Sequence, residues 1–72
     1  HEVDGVKPIS TLTRRQREVY ALVAEGLQNR EIATRLGVSV HTVRRHVEGM
    51  LARLDVPTRT SAAVLLKRVE NA

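Results

Sequence analysis

The chain has 72 residues, enough for one small domain but too few to enclose a sizeable active site. It contains no cysteine, which rules out a disulfide framework and a thiolate nucleophile and suits a reducing cytoplasm. The formal net charge is +4 and the sequence pI is near 10.7. Residues 1–10 contribute −1, so residues 11–72 carry +5. This charge agrees with a polyanionic partner, and it agrees equally well with a basic surface that binds nothing.

Two further features of the composition narrow the choice of partner. Tyr20 is the only aromatic residue, whereas proteins that recognise single-stranded nucleic acid depend on aromatic side chains for base stacking. Duplex DNA is therefore the better match. The apolar runs are only a few residues long, so we expect neither a membrane span nor a signal peptide.

Residues 1–11 show no apolar periodicity and contain several turn-forming residues. We expect them to be a linker or a cloning remnant, with the natural protein longer and the domain itself at residues 12–72. A first helix is predicted to start at Thr13, because Thr13 and Gln16 have the spacing of a capping box, and to stop at Gly26. Its apolar face is supplied by Val19, Leu22 and Val23.

A second helix is predicted from Asn29, as its N-cap, through Leu36 to a turn at Gly37. It is barely two turns long, and a helix of that length is stable in water only when its neighbours hold it. Ser39 is the predicted N-cap of a third helix at about residues 40–54.

The third helix separates apolar from polar side chains. At about 100° per residue, one stripe collects Val40, Val43, Val47, Met50, Leu51 and Leu54. The opposite face carries His41, Arg45, Gly49 and Ala52, with Arg44 and Glu48 on one flank and Thr42, His46 and Arg53 on the other. Arg45 lies nearly opposite the buried stripe. Arg44 lies near its margin, where a long side chain can extend along the core edge instead of reaching a base.

A fourth helix follows Val56 and Pro57, which are predicted to end the third. Thr60 or Ser61 is its predicted cap, and it runs to about Val69. Its apolar residues surround almost the whole helix: Ala62, Ala63, Val64, Leu65, Leu66 and Val69. Either the additional apolar residues only cover the core, or one side of the helix forms a dimer contact. We favour the contact and assign it to Val64, Leu65 and Arg68.

A short helix, a glycine turn and a longer helix with exposed arginines form the arrangement of a DNA-reading helix-turn-helix. Arginine presents a bidentate donor fork that suits guanine O6 and N7. Helix starts attract anions, and the first helix of such a pair crosses the DNA backbone. A solvated helix face is the alternative explanation of the paired arginines. We predict base contacts from His41, Arg44, Arg45 and Glu48, and phosphate contacts from Asn29, Arg30, Ser39, Thr42 and Arg53.

Metal binding and catalysis find no support in the sequence. His41 and His46 are five residues apart, about 140° around a helix, so they cannot converge on one ion, and His1 is terminal. No nucleophile and base are paired, no glycine-rich loop can hold a phosphate, and the acidic residues are spread singly along helices. We therefore predict no metal site, no cofactor and no enzymatic activity.

Four motifs occur in order and with characteristic spacing: LTRRQREV at 12–19, AEGLQNREIA at 24–33, TVRRH at 42–46 and RLDVPTRT at 53–60. Through them, residues 12–66 resemble the LuxR-type (GerE-like, NarL/FixJ-like) DNA-binding domain of bacterial transcription regulators. The resemblance implies an all-α, compact four-helix domain whose third helix enters the major groove and whose fourth helps two copies pair.

The resemblance also implies roles for single residues. Arg44 stands where the family usually has a Lys or Arg that reaches bases or phosphates, with Arg45 and Glu48 at neighbouring groove-facing positions. Arg30 occupies the usual basic position beside the DNA backbone. Three positions depart from the family pattern. Gln16 replaces the usual Glu, Gly49 stands where Asn is common, and Glu48 would face phosphates or a cytosine amino group.

Taken together, these features predict the cytoplasmic output domain of a transcription regulator that binds specific double-stranded DNA as a homodimer. The alternative is a protein-interaction module that contacts RNA polymerase or another regulator. A domain of a polymerase specificity factor is a third interpretation, which the TVRRH run and the short fourth helix disfavour.

Overall fold

Residues 11–70 are described by the structure, a computed structural model. They form four α-helices and no strand: α1 Arg14–Ala24, α2 Asn29–Leu36, α3 Val40–Leu54 and α4 Arg59–Glu70. The predicted all-α, four-helix architecture is confirmed. The predicted linker at residues 1–11 lies, except for Thr11, outside the described residues.

The start and end of α1 follow the predicted signals. The Gln16 N–H donates to Thr13 Oγ1 at 3.1 Å, and the Thr13 N–H donates to Gln16 Oε1 at 3.0 Å, which completes the capping box. The helix ends at Ala24, and Gly26 follows in the left-handed region with φ of 93°. Val19, Leu22 and Val23 are buried, as predicted.

The predicted N-cap of α2 is wrong by one residue. Asn29 is the first helical residue, and Gln28 is the N-cap, with its N–H donating to Glu31 Oε1 at 2.8 Å. A carboxylate three residues after the cap satisfies that backbone donor, which is one half of a capping box. Gly37 ends the helix with φ of 70°, the left-handed conformation expected for this turn.

The predicted bounds of α3 are confirmed, and Ser39 caps it by accepting a hydrogen bond from the Thr42 N–H at 3.0 Å. Four residues of the apolar stripe are buried: Val43, Val47, Met50 and Leu54. Val40 was also predicted in this stripe, but it is 36% exposed, since it lies in the first turn of α3. Asp55 ends the helix in the left-handed conformation, with φ of 58°, before Val56 and Pro57 are reached.

The cap of α4 also differs from the prediction. Thr58 Oγ1 accepts a hydrogen bond from the Ser61 N–H at 3.1 Å, so Thr58 caps a helix that begins at Arg59, earlier than either predicted cap. Thr58 has the same relation to Ser61 that Ser39 has to Thr42, including a bond between the two hydroxyl groups at 2.9 Å.

The core lies where α1 packs against both α3 and α4, while α2 packs mainly against α3. Its largest fully buried side chains are Tyr20, Ile32, Met50, Leu54, Val19 and Val43. The Tyr20 hydroxyl donates to the Ala62 carbonyl at 2.6 Å, which satisfies the polar end of the ring and connects α1 to α4. The inner faces of α2 and α3 pack into this core, and their outer faces are exposed.

Candidate nucleic-acid interface

The outer face of α3 carries all four residues predicted to contact bases. His41, Arg44, Arg45 and Glu48 are each exposed. Among the described side chains, those of residues 11–68, the only ion pair is Arg15–Glu18, at 3.3 Å on α1, so none of these carboxylates neutralises Arg44 or Arg45. Side-chain N–H groups of these arginines are consequently open to an external acceptor.

Arg44 and Arg45 are both exposed to solvent. The helical wheel places Arg44 near the margin of the apolar stripe, yet its side chain is exposed, like that of Arg45. The structure therefore removes burial as a reason to prefer one over the other. Glu48 lies one turn further along, at i+4 from Arg44 and i+3 from Arg45, and places a negative charge on the same face.

Three of the residues predicted to contact phosphate lie close to the beginnings of α2 and α3. Arg30 is exposed in the first turn of α2, Ser39 is the N-cap of α3, and Thr42 lies in the first turn of α3. The Ser39 hydroxyl already accepts the Thr42 N–H, which leaves its own proton directed toward Thr42 Oγ1 at 2.9 Å or available to an anion. These side chains lie at the beginnings of the two helices of the motif, where the first backbone N–H groups have no carbonyl partner within the helix.

Arg53 lies apart from that group. Its Nη1 donates to the Thr11 carbonyl at 2.8 Å, at the beginning of the described chain. Along the axis of α3 it is about 21 Å from Ser39, at a rise of about 1.5 Å per residue. The structure thus places Arg53 beside the segment that precedes α1, and its phosphate contact stays a prediction.

Arg59 was not among the predicted site residues, although it reaches the start of α2. This half-buried side chain of α4 donates from Nη1 to Asn29 Oδ1 and from Nη2 to the Leu27 carbonyl. Thirty positions separate Arg59 from Asn29, so no local pattern indicates the pairing. Asn29, predicted to contact phosphate, therefore has its side-chain oxygen occupied within the domain.

The residues assigned to a dimer contact lie on the outer side of α4. Val64 is 47% exposed, Arg68 is exposed and Leu65 is half-buried, whereas Ala62 on the inner side is fully buried. Val64 is one of two large apolar residues that are exposed in the described part of the chain, the other being Val40. An exposed valine on a helix that already covers the core is a candidate contact for another molecule.

Two other properties of residues 11–70 bear on the predictions. Residues 11–68, whose side chains are described, contain no group of three or more His, Asp or Glu side chains placed to hold a metal ion. None of their helices has the length and apolar character that crossing a membrane requires.

Comparison with known proteins identifies the family. The family described as bacterial regulatory proteins, luxR family, matches residues 10–66. The transcriptional regulatory protein LiaR of Bacillus subtilis (strain 168) is 40% identical over 68 residues, which are 94% of this chain and 32% of that protein. The transcriptional regulatory protein DegU of Brevibacillus brevis is 43% identical over 63 residues, 88% of this chain and 27% of that protein.

A third relative is the nitrate/nitrite response regulator protein NarL of Escherichia coli (strain K12), 40% identical over 58 residues, 81% of this chain and 27% of that protein. The chain thus spans about a third or less of the length of these relatives. The match to the family includes α1, α2, α3 and the first two turns of α4. The chain belongs to the luxR family of bacterial regulatory proteins.

Proposed function

We propose that this domain binds specific double-stranded DNA as the output domain of a bacterial transcription regulator, with α3 in the major groove. The observation that carries the proposal is the pair Arg44 and Arg45, which are exposed on the second helix of a helix-turn-helix and have no carboxylate partner among the described side chains. Family membership makes the chain a domain of a transcription regulator and not an enzyme, as predicted. Binding chromosomal DNA would place it in the cytoplasm.

Base reading and backbone binding are assigned to different parts of the motif in this proposal: the exposed face of α3 reads bases, and the beginnings of α2 and α3 bind the backbone. A guanidinium on α3 donates two parallel hydrogen bonds to one guanine, worth about 1–3 kcal/mol of discrimination per base. Arg30 on α2 and the hydroxyl groups of Ser39 and Thr42 bind phosphates, which positions α3 but carries no sequence information. The excess positive charge of residues 11–72 supports binding through release of counterions.

The test compares Arg45→Ala with Arg30→Ala on a site selected from random duplexes and on unselected duplex DNA. We expect Arg45→Ala to weaken the selected site more than random DNA. Arg30→Ala should weaken both by a similar factor and reduce the slope of log affinity against log salt by about 0.9, the value for one phosphate. Equal losses on both DNAs for Arg45→Ala would remove it from the base readers.

We also propose that the domain pairs through the outer side of α4, with Val64 at its centre and Leu65 and Arg68 beside it. Pairing would remove the exposed part of Val64 from water and set two α3 helices at a fixed separation on two half-sites. The exposure of Val64 makes it a better probe than the half-buried Leu65, since a charge at position 64 does not enter the core.

Sedimentation of Val64→Glu against wild type, with and without a duplex carrying two half-sites, tests this contact. We expect the wild-type protein to occupy the duplex as a pair and the variant to bind one copy at a time. Lys67→Ala, an exposed change on the same helix, is the matched control. A wild-type protein that binds two half-sites independently would refute the contact.

A further inference from the structure

The side chain of Arg59 links three separate parts of the domain. It is the first residue of α4, its guanidinium donates to the Leu27 carbonyl in the loop after α1, and it donates to Asn29 Oδ1 at the first residue of α2. It is half-buried, beside Val23 and Ala63 in a surface groove that these parts line. A fork that donates to two acceptors at once fixes their relative position more closely than a single ammonium group does.

The chemistry of this bridge decides which way the Asn29 carboxamide faces. A guanidinium has donors only, so the carboxamide must turn its oxygen toward Arg59 and its NH₂ group away. The NH₂ group has no hydrogen-bond partner among residues 11–68, and none of their side-chain nitrogen or oxygen atoms is both buried and unpaired. Asn29 consequently presents two free donors at the beginning of α2, adjacent to Arg30.

We propose that Arg59 is a positioning residue for phosphate binding, which acts by holding Asn29 with its NH₂ group outward as a donor to a DNA phosphate. The inference rests on the proposed function, because it concerns how α2 contacts the backbone. Arg59, the first residue of α4, would thereby determine whether the beginning of α2 offers a hydrogen-bond donor or an acceptor to a phosphate. A carboxamide free to rotate would present its oxygen to the phosphate part of the time, and an acceptor repels that group.

The first test replaces the guanidinium of Arg59 by an ammonium group, which keeps the positive charge but loses the two parallel donors. Arg59→Lys should weaken binding to a selected duplex and to random duplex by the same factor, about three- to tenfold, the range of one well-placed hydrogen bond. Arg35→Lys is the matched control, because Arg35 is an exposed arginine of α2 whose side chain makes no hydrogen bond to residues 11–68, and it should change affinity by less than about twofold. Arg59→Lys with wild-type affinity would overturn the proposal.

A spectroscopic measurement separates positioning from general stability. In a ¹⁵N-labelled sample, the side-chain NH₂ resonances of Asn29 should shift when duplex DNA is added to the wild-type protein and shift less in Arg59→Lys. A general loss of stability would lower affinity, but it would not reduce the DNA-induced shift of the Asn29 NH₂ resonances more than that of other resonances. Asn29 resonances that respond equally in both proteins would also overturn the proposal.

The second test leaves Arg59 intact, so it does not depend on how well Arg59→Lys folds. Asn29→Asp keeps an oxygen for the guanidinium but removes the NH₂ donors, and it should weaken DNA binding while leaving the urea midpoint the same or higher. Gln28→Glu introduces the same charge one residue away at an exposed position and measures the effect of charge alone. Equal losses for the two variants would refute a donor role for Asn29.

The outcomes distinguish this inference from the proposed function. If the wild-type protein selects no duplex and binds DNA no better than Arg30→Ala, the proposed function fails. If the wild-type protein selects a duplex and Arg45→Ala impairs that selection, the proposed function stands, and the Arg59 and Asn29 variants decide the positioning role separately.

Discussion

Replacing Gly49 by alanine sets two effects of similar size against each other. Gly49 lies inside α3, where alanine is favoured over glycine by about 1 kcal/mol. A Cβ atom at this position would stand 2.8 Å from Gln16 Nε2, closer than such atoms approach in proteins, with Gln16 Cδ next at 4.0 Å. Only the end of one flexible side chain obstructs the new methyl group.

Gln16 cannot move without a cost, because its Oε1 accepts the Thr13 N–H in the capping box of α1. Disturbing that exposed bond costs about 0.5–1 kcal/mol. We therefore expect Gly49→Ala to raise the free energy of unfolding by only about 0–0.5 kcal/mol in the wild-type background. With Gln16→Ala already present, the same change should give the full gain of about 1 kcal/mol.

Urea unfolding of the four proteins in this double-mutant cycle measures the coupling, expected at about 0.5–1 kcal/mol, provided that the slope against urea is unchanged. The same gain in both backgrounds would show that Gln16 does not restrict position 49. A destabilisation above about 1 kcal/mol in both backgrounds would mean that the alanine methyl meets something other than Gln16, and the reasoning would be wrong.

Three further substitutions test separate features. Tyr20→Phe removes the hydroxyl that binds the Ala62 carbonyl and should lower Tm by about 4–8 °C, for a loss of about 1 kcal/mol; an unchanged Tm would contradict the role of this bond. Ser39→Ala removes the cap of α3 and should cost about 1 kcal/mol in urea unfolding, whereas no cost would mean that water replaces the cap. Glu48→Gln should raise affinity for random duplex and relax selection for cytosine at one position, as measured by site selection; unchanged selection would remove Glu48 from the base readers.

Local signals predicted much of this fold correctly. The Thr13 and Gln16 pair, Gly37, and the cap at Ser39 each act within a few residues, so their geometry is encoded where they stand. The errors at Asn29 and at the start of α4 have a common cause. In both places the sequence offers neighbouring polar residues that can each serve as a cap, so the pattern locates the helix end only to within about one or two residues.

Contacts between distant segments could not be predicted in this way. The exposed face of α3 follows from helical periodicity, which is why all four predicted base-reading residues are exposed. The bridge from Arg59 to Asn29 and the approach of Gln16 to Gly49 depend on how α1, α2, α3 and α4 pack together. A single sequence shows polar residues at these positions but not their partners.

The hydrogen-bonded tyrosine has a practical consequence for following the folding of this domain. Since Tyr20 is the only aromatic residue, its ring is the sole source of near-ultraviolet circular dichroism, and it is 1% exposed where α1 meets α4. The near-ultraviolet signal therefore reports whether α4 is docked, while the far-ultraviolet signal reports total helix. A mismatch between the two melting curves would reveal α4 leaving the domain before the remaining helices unfold.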